Sequence, residues 1–200
     1  YNIPIIHIDG KLVTSKYTIS LQLKDVTFCA PDHGAIKRNK SYAKSIPGCT
    51  SDAVMDKSRK KPNEVASMTL GGGVDVVKNR NVLLPDDLGD TMGTICTASK
   101  VLTANEALTS RAILTHFLST QPKGKKSGLQ NIMESDLTEL ITTDTIPAAY
   151  DKVAQYLEMT KNMEKVCKIT IISCAKVLAK SIDRILKKES INELNTSDAV

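Results

Sequence analysis

The sequence predicts an α+β fold, with an antiparallel β-rich N-terminal half followed by a small α-helical bundle. Three observations carry this expectation. Apolar runs flank an Asp9-Gly10 pair, the stretch after it alternates apolar and polar side chains, and beyond about residue 100 the apolar residues recur every three to four positions. The boundaries are a β-rich part over 1–95, holding a basic loop at 34–61, and a helical part over 96–200 with a polar tail from about 189. One integrated domain is the alternative within the ordinary size range of a chain this long.

In order along the chain, "IPIIHIDGKLVTS" is expected to form a hairpin, because Asp-Gly accepts the two positive-φ positions of a type I′ turn. "YTISLQLKDV" places Tyr17, Ile19, Leu21 and Leu23 on one side, as in a half-buried strand. "VTFCA" extends it to Pro31. "EVASMTL" and "VDVV" read as strands around Gly71, Gly72 and Gly73, and "VLLP" as another. Thr103 and Glu106 have capping-box spacing before a helix carrying Leu108, Ile113, Leu114 and Phe117. Ser127 and Gln130 repeat that spacing before a shorter helix. A long helical region is expected from about Pro147 to Lys188, with a break near Thr160.

The net charge of +5 is concentrated. Residues 34–61 hold Lys37, Arg38, Lys40, Lys44, Lys57, Arg59, Lys60 and Lys61 against two aspartates, a local +6 that leaves −1 for the rest of the chain. Clustered cations attract anions, so these eight residues are the candidate anion-binding surface, for nucleic acid or an acidic membrane. Lys outnumbers Arg six to two there, which favours backbone contact over base readout. Ile171, Cys174, Leu178 and Ile185 fall at helical spacing and form the candidate oligomer seam.

Catalytic motifs are sparse. The three glycines lack the Lys-Ser/Thr and the following helix that a phosphate-binding loop needs, so they read as a turn. "PDDLGD", Pro85 to Asp90, reads as an acidic turn. Cys29, His33 and Cys49 lack a fourth ligand for a structural zinc site. No catalytic residue, metal or cofactor is predicted. Five cysteines without close pairing point to a reducing cytoplasmic or nuclear compartment, or a virion. No stretch is long and apolar enough to span a bilayer, and no signal peptide is read at the start.

The function these features predict is a non-enzymatic structural or assembly protein. It would self-associate and bind an anionic partner, in the manner of a viral matrix, capsid or nucleocapsid component. Two alternatives differ in kind: an adaptor that docks a partner on its C-terminal helical face, and an enzyme using the loop residue His33.

Overall fold

A computed structural model describes residues 2–58, 67–191 and 194. Seven strands form a single sheet: β1 (Val26–Ala30), β2 (Thr50–Ser58), β3 (Ser67–Gly71), β4 (Asn81–Gly89), β5 (Thr109–Phe117), β6 (Glu139–Thr143) and β7 (Lys168–Ile172). Their spatial order is β3-β2-β1-β4-β5-β6-β7. Only the β2–β3 pair is antiparallel; the other five pairings are parallel. Among the described residues six α-helices are interleaved: α1 (Lys11–Ser20), α2 (Ile36–Ser45), α3 (Gly93–Ala104), α4 (Gly128–Met133), α5 (Ala149–Thr160) and α6 (Ala175–Leu186). The class is therefore α/β, and the expected antiparallel half with a C-terminal helical bundle is wrong.

Parallel strands need crossover helices, and those helices bury both faces of the sheet. Neighbouring residues of one strand accordingly serve opposite cores. Val82 and Leu84 pack with α3, α4 and α5, alongside Leu102, Leu129 and Tyr156. Leu83 faces α1 and α2, with Phe28, Tyr42, Ile113 and Ile141. Val13 of α1 and Val177 of α6 extend that second layer around Cys174. Each fully buried Leu, Ile or Phe contributes roughly 1.5–3 kcal/mol.

This double burial explains the misread elements. In "AILTHF" Ala112, Ile113 and Leu114 are buried on both faces, and in "KITII" Ile169, Ile171 and Ile172 are partly buried; periodicity cannot separate such short apolar runs from buried helix. Thr103 lies in the last turn of α3, and Glu106 takes a φ of 61° on the way into β5, so that pair caps nothing. The long helix expected over 147–188 is α5, β7 and α6. At the N-terminus, Val13, Tyr17 and Leu21 are four apart and pack inward as a helical stripe, although the same residues also alternate. Gly10 begins α1 rather than turning a hairpin. A Cβ there would lie 2.3 Å from Thr115 Oγ1, so glycine lets the helix start against β5.

Other expectations hold. β1 matches "VTFCA" and β4 contains "VLLP". Ser127 and Gln130 make the capping box of α4. Gly72 and Gly73 have φ of 92° and 86° and turn the chain after β3, but "VDV" forms a 3-10 turn rather than a strand.

Candidate functional site

Ligands of open α/β sheets bind at the carboxyl ends of strands, where the strand order reverses. Here that point lies between β1 and β4, because β1 connects outward to β2 while β4 lies on its other side. The carboxyl end of β4 carries Asp86, Asp87, Leu88 and Gly89. Asp90, Thr91 and Met92 then lead directly into α3.

Three features suit this loop to an anion. Met92 takes a left-handed φ of 60° and its side chain does not cap α3, while the Gly93 amide donates to Thr91 Oγ1 at 3.5 Å. The helix is 12 residues long, so its N-terminus carries the positive end of its dipole and its first N–H groups have no partner within the helix. A small cavity of about 120 Å³ lies against these residues, lined by Thr91, Gly93 and Thr94. Thr94 Oγ1 also accepts a hydrogen bond from Lys57 Nζ at 2.9 Å, and that ammonium is 3.6 Å from Asp32 Oδ2 at the end of β1. A cation from β2 thus stands beside the helix N-terminus.

The loop is braced from below. The amides of Leu118 and Ser119 donate to Gly89 O, and Thr120 N donates to Asp90 O. Thr120 Oγ1 donates to the Asp90 carboxylate, and Asn131 Nδ2 donates to Thr91 O at 2.8 Å. A Cβ on Gly89 would meet Leu114 Cδ1 at 2.4 Å and Met92 Sδ at 2.6 Å. The glycine therefore allows β4 to pass directly over the core into the turn.

Beside the anion receptor are carboxylates. Arg38 of α2 reaches Asp86 Oδ1 at 2.8 Å and Asp87 Oδ2 at 2.7 Å. Burial pushes the Asp86 carboxyl up to about 6, against the opposing effects of the Asp87 amide and Arg38. Fixed acceptors next to an anion receptor suit a ligand bearing both a phosphate and hydroxyl groups.

The eight predicted anion-binding residues separate in space. Arg38 is committed to Asp86 and Asp87. Lys37, Lys40 and Lys44 lie on the exposed side of α2, and among the described residues of the eight Lys57 approaches the α3 N-terminus. Arg59, Lys60 and Lys61 lie outside the described residues. His33 sits at the β1 end of the site and pairs with Asp56 at 2.6 Å. The four seam residues do not share one helix: Ile171 is on β7, Cys174 immediately precedes α6, and Leu178 and Ile185 are half-exposed on α6. "PDDLGD" is not an acidic turn: Pro85 to Gly89 end β4, and the Thr91-Met92-Gly93-Thr94 that follows opens α3.

A family model described as the phosphoribosyl synthetase-associated domain matches residues 33–196. The chain belongs to this family. Among similar curated proteins is a ribose-phosphate pyrophosphokinase from Coxiella burnetii, 34% identical over 180 residues, covering 90% of this chain and 50% of that protein. Ribose-phosphate pyrophosphokinase A of Dictyostelium discoideum is 34% identical over 196 residues, covering 97% and 55%. The chain spans about half the length of the curated relatives it matches. The crystal structure of phosphoribosylpyrophosphate synthetase from Mycobacterium smegmatis superposes with a TM-score of 0.73 at 24% identity, covering 94% of this chain and 54% of that one. That likeness establishes the shared fold.

Membership of the phosphoribosyl synthetase-associated domain family overturns the expected viral structural or assembly protein. Of the readings made from sequence, the enzyme alternative agrees best with these relatives. Nothing in the fold or the relatives supports a nucleic-acid or lipid partner, or a virion. Among the described residues, no helix is long and apolar enough to cross a membrane.

Proposed function

We propose that the β4–α3 loop binds a ribose phosphate, and that the chain contributes this sugar-phosphate site to a ribose-phosphate pyrophosphokinase. One observation carries the reading: the first turn of α3 lies beside Asp86, Asp87 and Asp90 at the switch point of the sheet. In this arrangement the phosphate takes hydrogen bonds from the α3 amides and the Thr91 and Thr94 hydroxyls. Asp86 and Asp87 accept from sugar hydroxyls and fix the orientation of the ring.

The relatives' name describes moving a pyrophosphate group onto ribose phosphate. For such a transfer this chain holds the acceptor sugar still, so that its hydroxyl meets the phosphoryl donor in one geometry. Lys57, poised over Thr94, offers positive charge where phosphate oxygens gather. A cellular setting accords with relatives from bacteria and Dictyostelium. Self-association of the chain belongs to this proposal.

Calorimetry with ribose 5-phosphate tests the reading. The wild-type chain is expected to bind it, and free ribose much more weakly because it lacks the anion. Asp86→Asn should lower the affinity by about tenfold, the cost of roughly one charge-assisted hydrogen bond. Equal affinity for ribose and ribose 5-phosphate, or no effect of Asp86→Asn, would refute the assignment.

A further inference from the structure

The chain between β5 and α4 passes beside the β4–α3 loop and carries the sequence "TQPKGKKSG". Residues 119–134 hold Lys123, Lys125 and Lys126 against one acid, Glu134, a local +2. Both ends of this segment are fixed to the β4–α3 loop. At its start Thr120 N donates to Asp90 O at 3.2 Å. At its end a Cβ on Gly128 would lie 2.9 Å from Asp90 O, so glycine lets α4 begin directly against that loop. Asn131 of α4 adds the hydrogen bond to Thr91 O.

Between these ends the basic residues are displayed on a tight turn. Lys125 N donates to Pro122 O at 3.0 Å, and Gly124 takes a φ of 71° at the turn position that favours glycine. Lys123, Lys125 and Lys126 are all exposed. Lys126 pairs with Glu134, whereas among the described residues the ammonium groups of Lys123 and Lys125 have no partner. A cleft of about 450 Å³ borders the turn, lined by Thr91, Lys125, Lys126 and Asn131. Thr91 is therefore a wall shared by two cavities. On one side lies the cavity at the first turn of α3, and on the other this basic cleft.

Ammonium groups without a counter-charge, held next to a phosphate site, raise the local potential for an anion. Lysine acts there as a point charge, adding attraction without dictating a fixed geometry. We propose that this turn is a cationic clamp of the sugar-phosphate site. Lys125 reaches the phosphate past Thr91, from the side opposite the α3 amides, and Lys123 adds to the field. The inference rests on the ribose phosphate reading and adds to it the residues that set the preference for a charged sugar.

Calorimetry of the full chain with ribose 5-phosphate, at about 20 and about 200 mM salt, tests the clamp. Lys123→Gln/Lys125→Gln should bind about threefold to tenfold more weakly at low salt, as the loss of two exposed charge contacts implies. The gap from wild type should narrow at high salt, where the charges are screened. Lys125→Arg keeps the charge and should keep the affinity. Unchanged affinity and salt dependence in the double variant overturns the clamp, and leaves the ribose phosphate reading standing if wild type still prefers ribose 5-phosphate to ribose. An equal loss in Lys37→Gln/Lys40→Gln, which removes the same charge from α2, also overturns the clamp, because net charge alone then explains the effect. A wild-type chain that binds ribose and ribose 5-phosphate equally overturns both readings.

Discussion

Asp86 is the residue on which site and stability meet. Its carboxyl titrates near 6 in the folded chain because burial disfavours the charge, against an ordinary value of 3.8. A raised carboxyl pKa favours folding fully below about pH 4, and that contribution is lost as pH rises through 6. Asp86→Asn is therefore expected to gain stability relative to wild type between pH 4 and pH 7, by about 1–3 kcal/mol. Urea denaturation at the two pH values measures the difference. A gap that is constant with pH contradicts the burial argument. Gly89 carries the geometric counterpart. Gly89→Ala places a methyl against Leu114 and Met92, and an overpacking cost of about 1–3 kcal/mol is expected in the urea midpoint.

At the scale of elements, the sheet is fastened to α1 through Glu139. This buried carboxylate on β6 accepts from Tyr17 Oη at 2.6 Å, Thr170 Oγ1 at 2.7 Å and Lys168 Nζ at 3.1 Å. Arg111 Nε of β5 lies 3.5 Å from its other oxygen. Burial raises the Glu139 pKa, but the hydrogen bonds from Tyr17, Thr170 and Lys168 outweigh it and hold the group below its ordinary value. A lowered carboxyl pKa stabilises the fold above the ordinary value, and that support is lost as pH falls through the folded value. Glu139→Gln should cost about 2–3 kcal/mol at pH 7, since it leaves Arg111 partly buried without its counter-charge. The cost should shrink below pH 4. Thermal melts of the two proteins across that pH range provide the check.

Elements also show what could be read in advance. The Ser127–Gln130 cap was legible because its hydrogen bonds are local. β5 was not, because Ala112, Ile113 and Leu114 are apolar on both faces only when helices cover both sides of the sheet. The N-terminal helix was hidden by residues that fit periods of 2 and 3.6 equally well.

For the whole molecule, the decisive property is topology. Strands from before and after residue 95 share one sheet, and the reversal between β1 and β4 brings Asp32, Lys57, Asp86 and Thr94 to one edge. No stretch of sequence contains that juxtaposition. The lysine count drew attention to α2, where Lys37, Lys40 and Lys44 point into solvent. The functional signal was an acidic strand end feeding a helix, and acid residues next to an anion receptor do not read as a binding motif until the helix is in place.

Amide chemical shifts during a ribose 5-phosphate titration test the central claim most directly. The largest changes are expected at Gly93, Thr94 and Ile95, the first turn of α3, with smaller ones at Asp86 and Asp87. Changes confined to Lys37, Lys40 and Lys44 on α2, or no saturable change at the α3 N-terminus, would contradict the account.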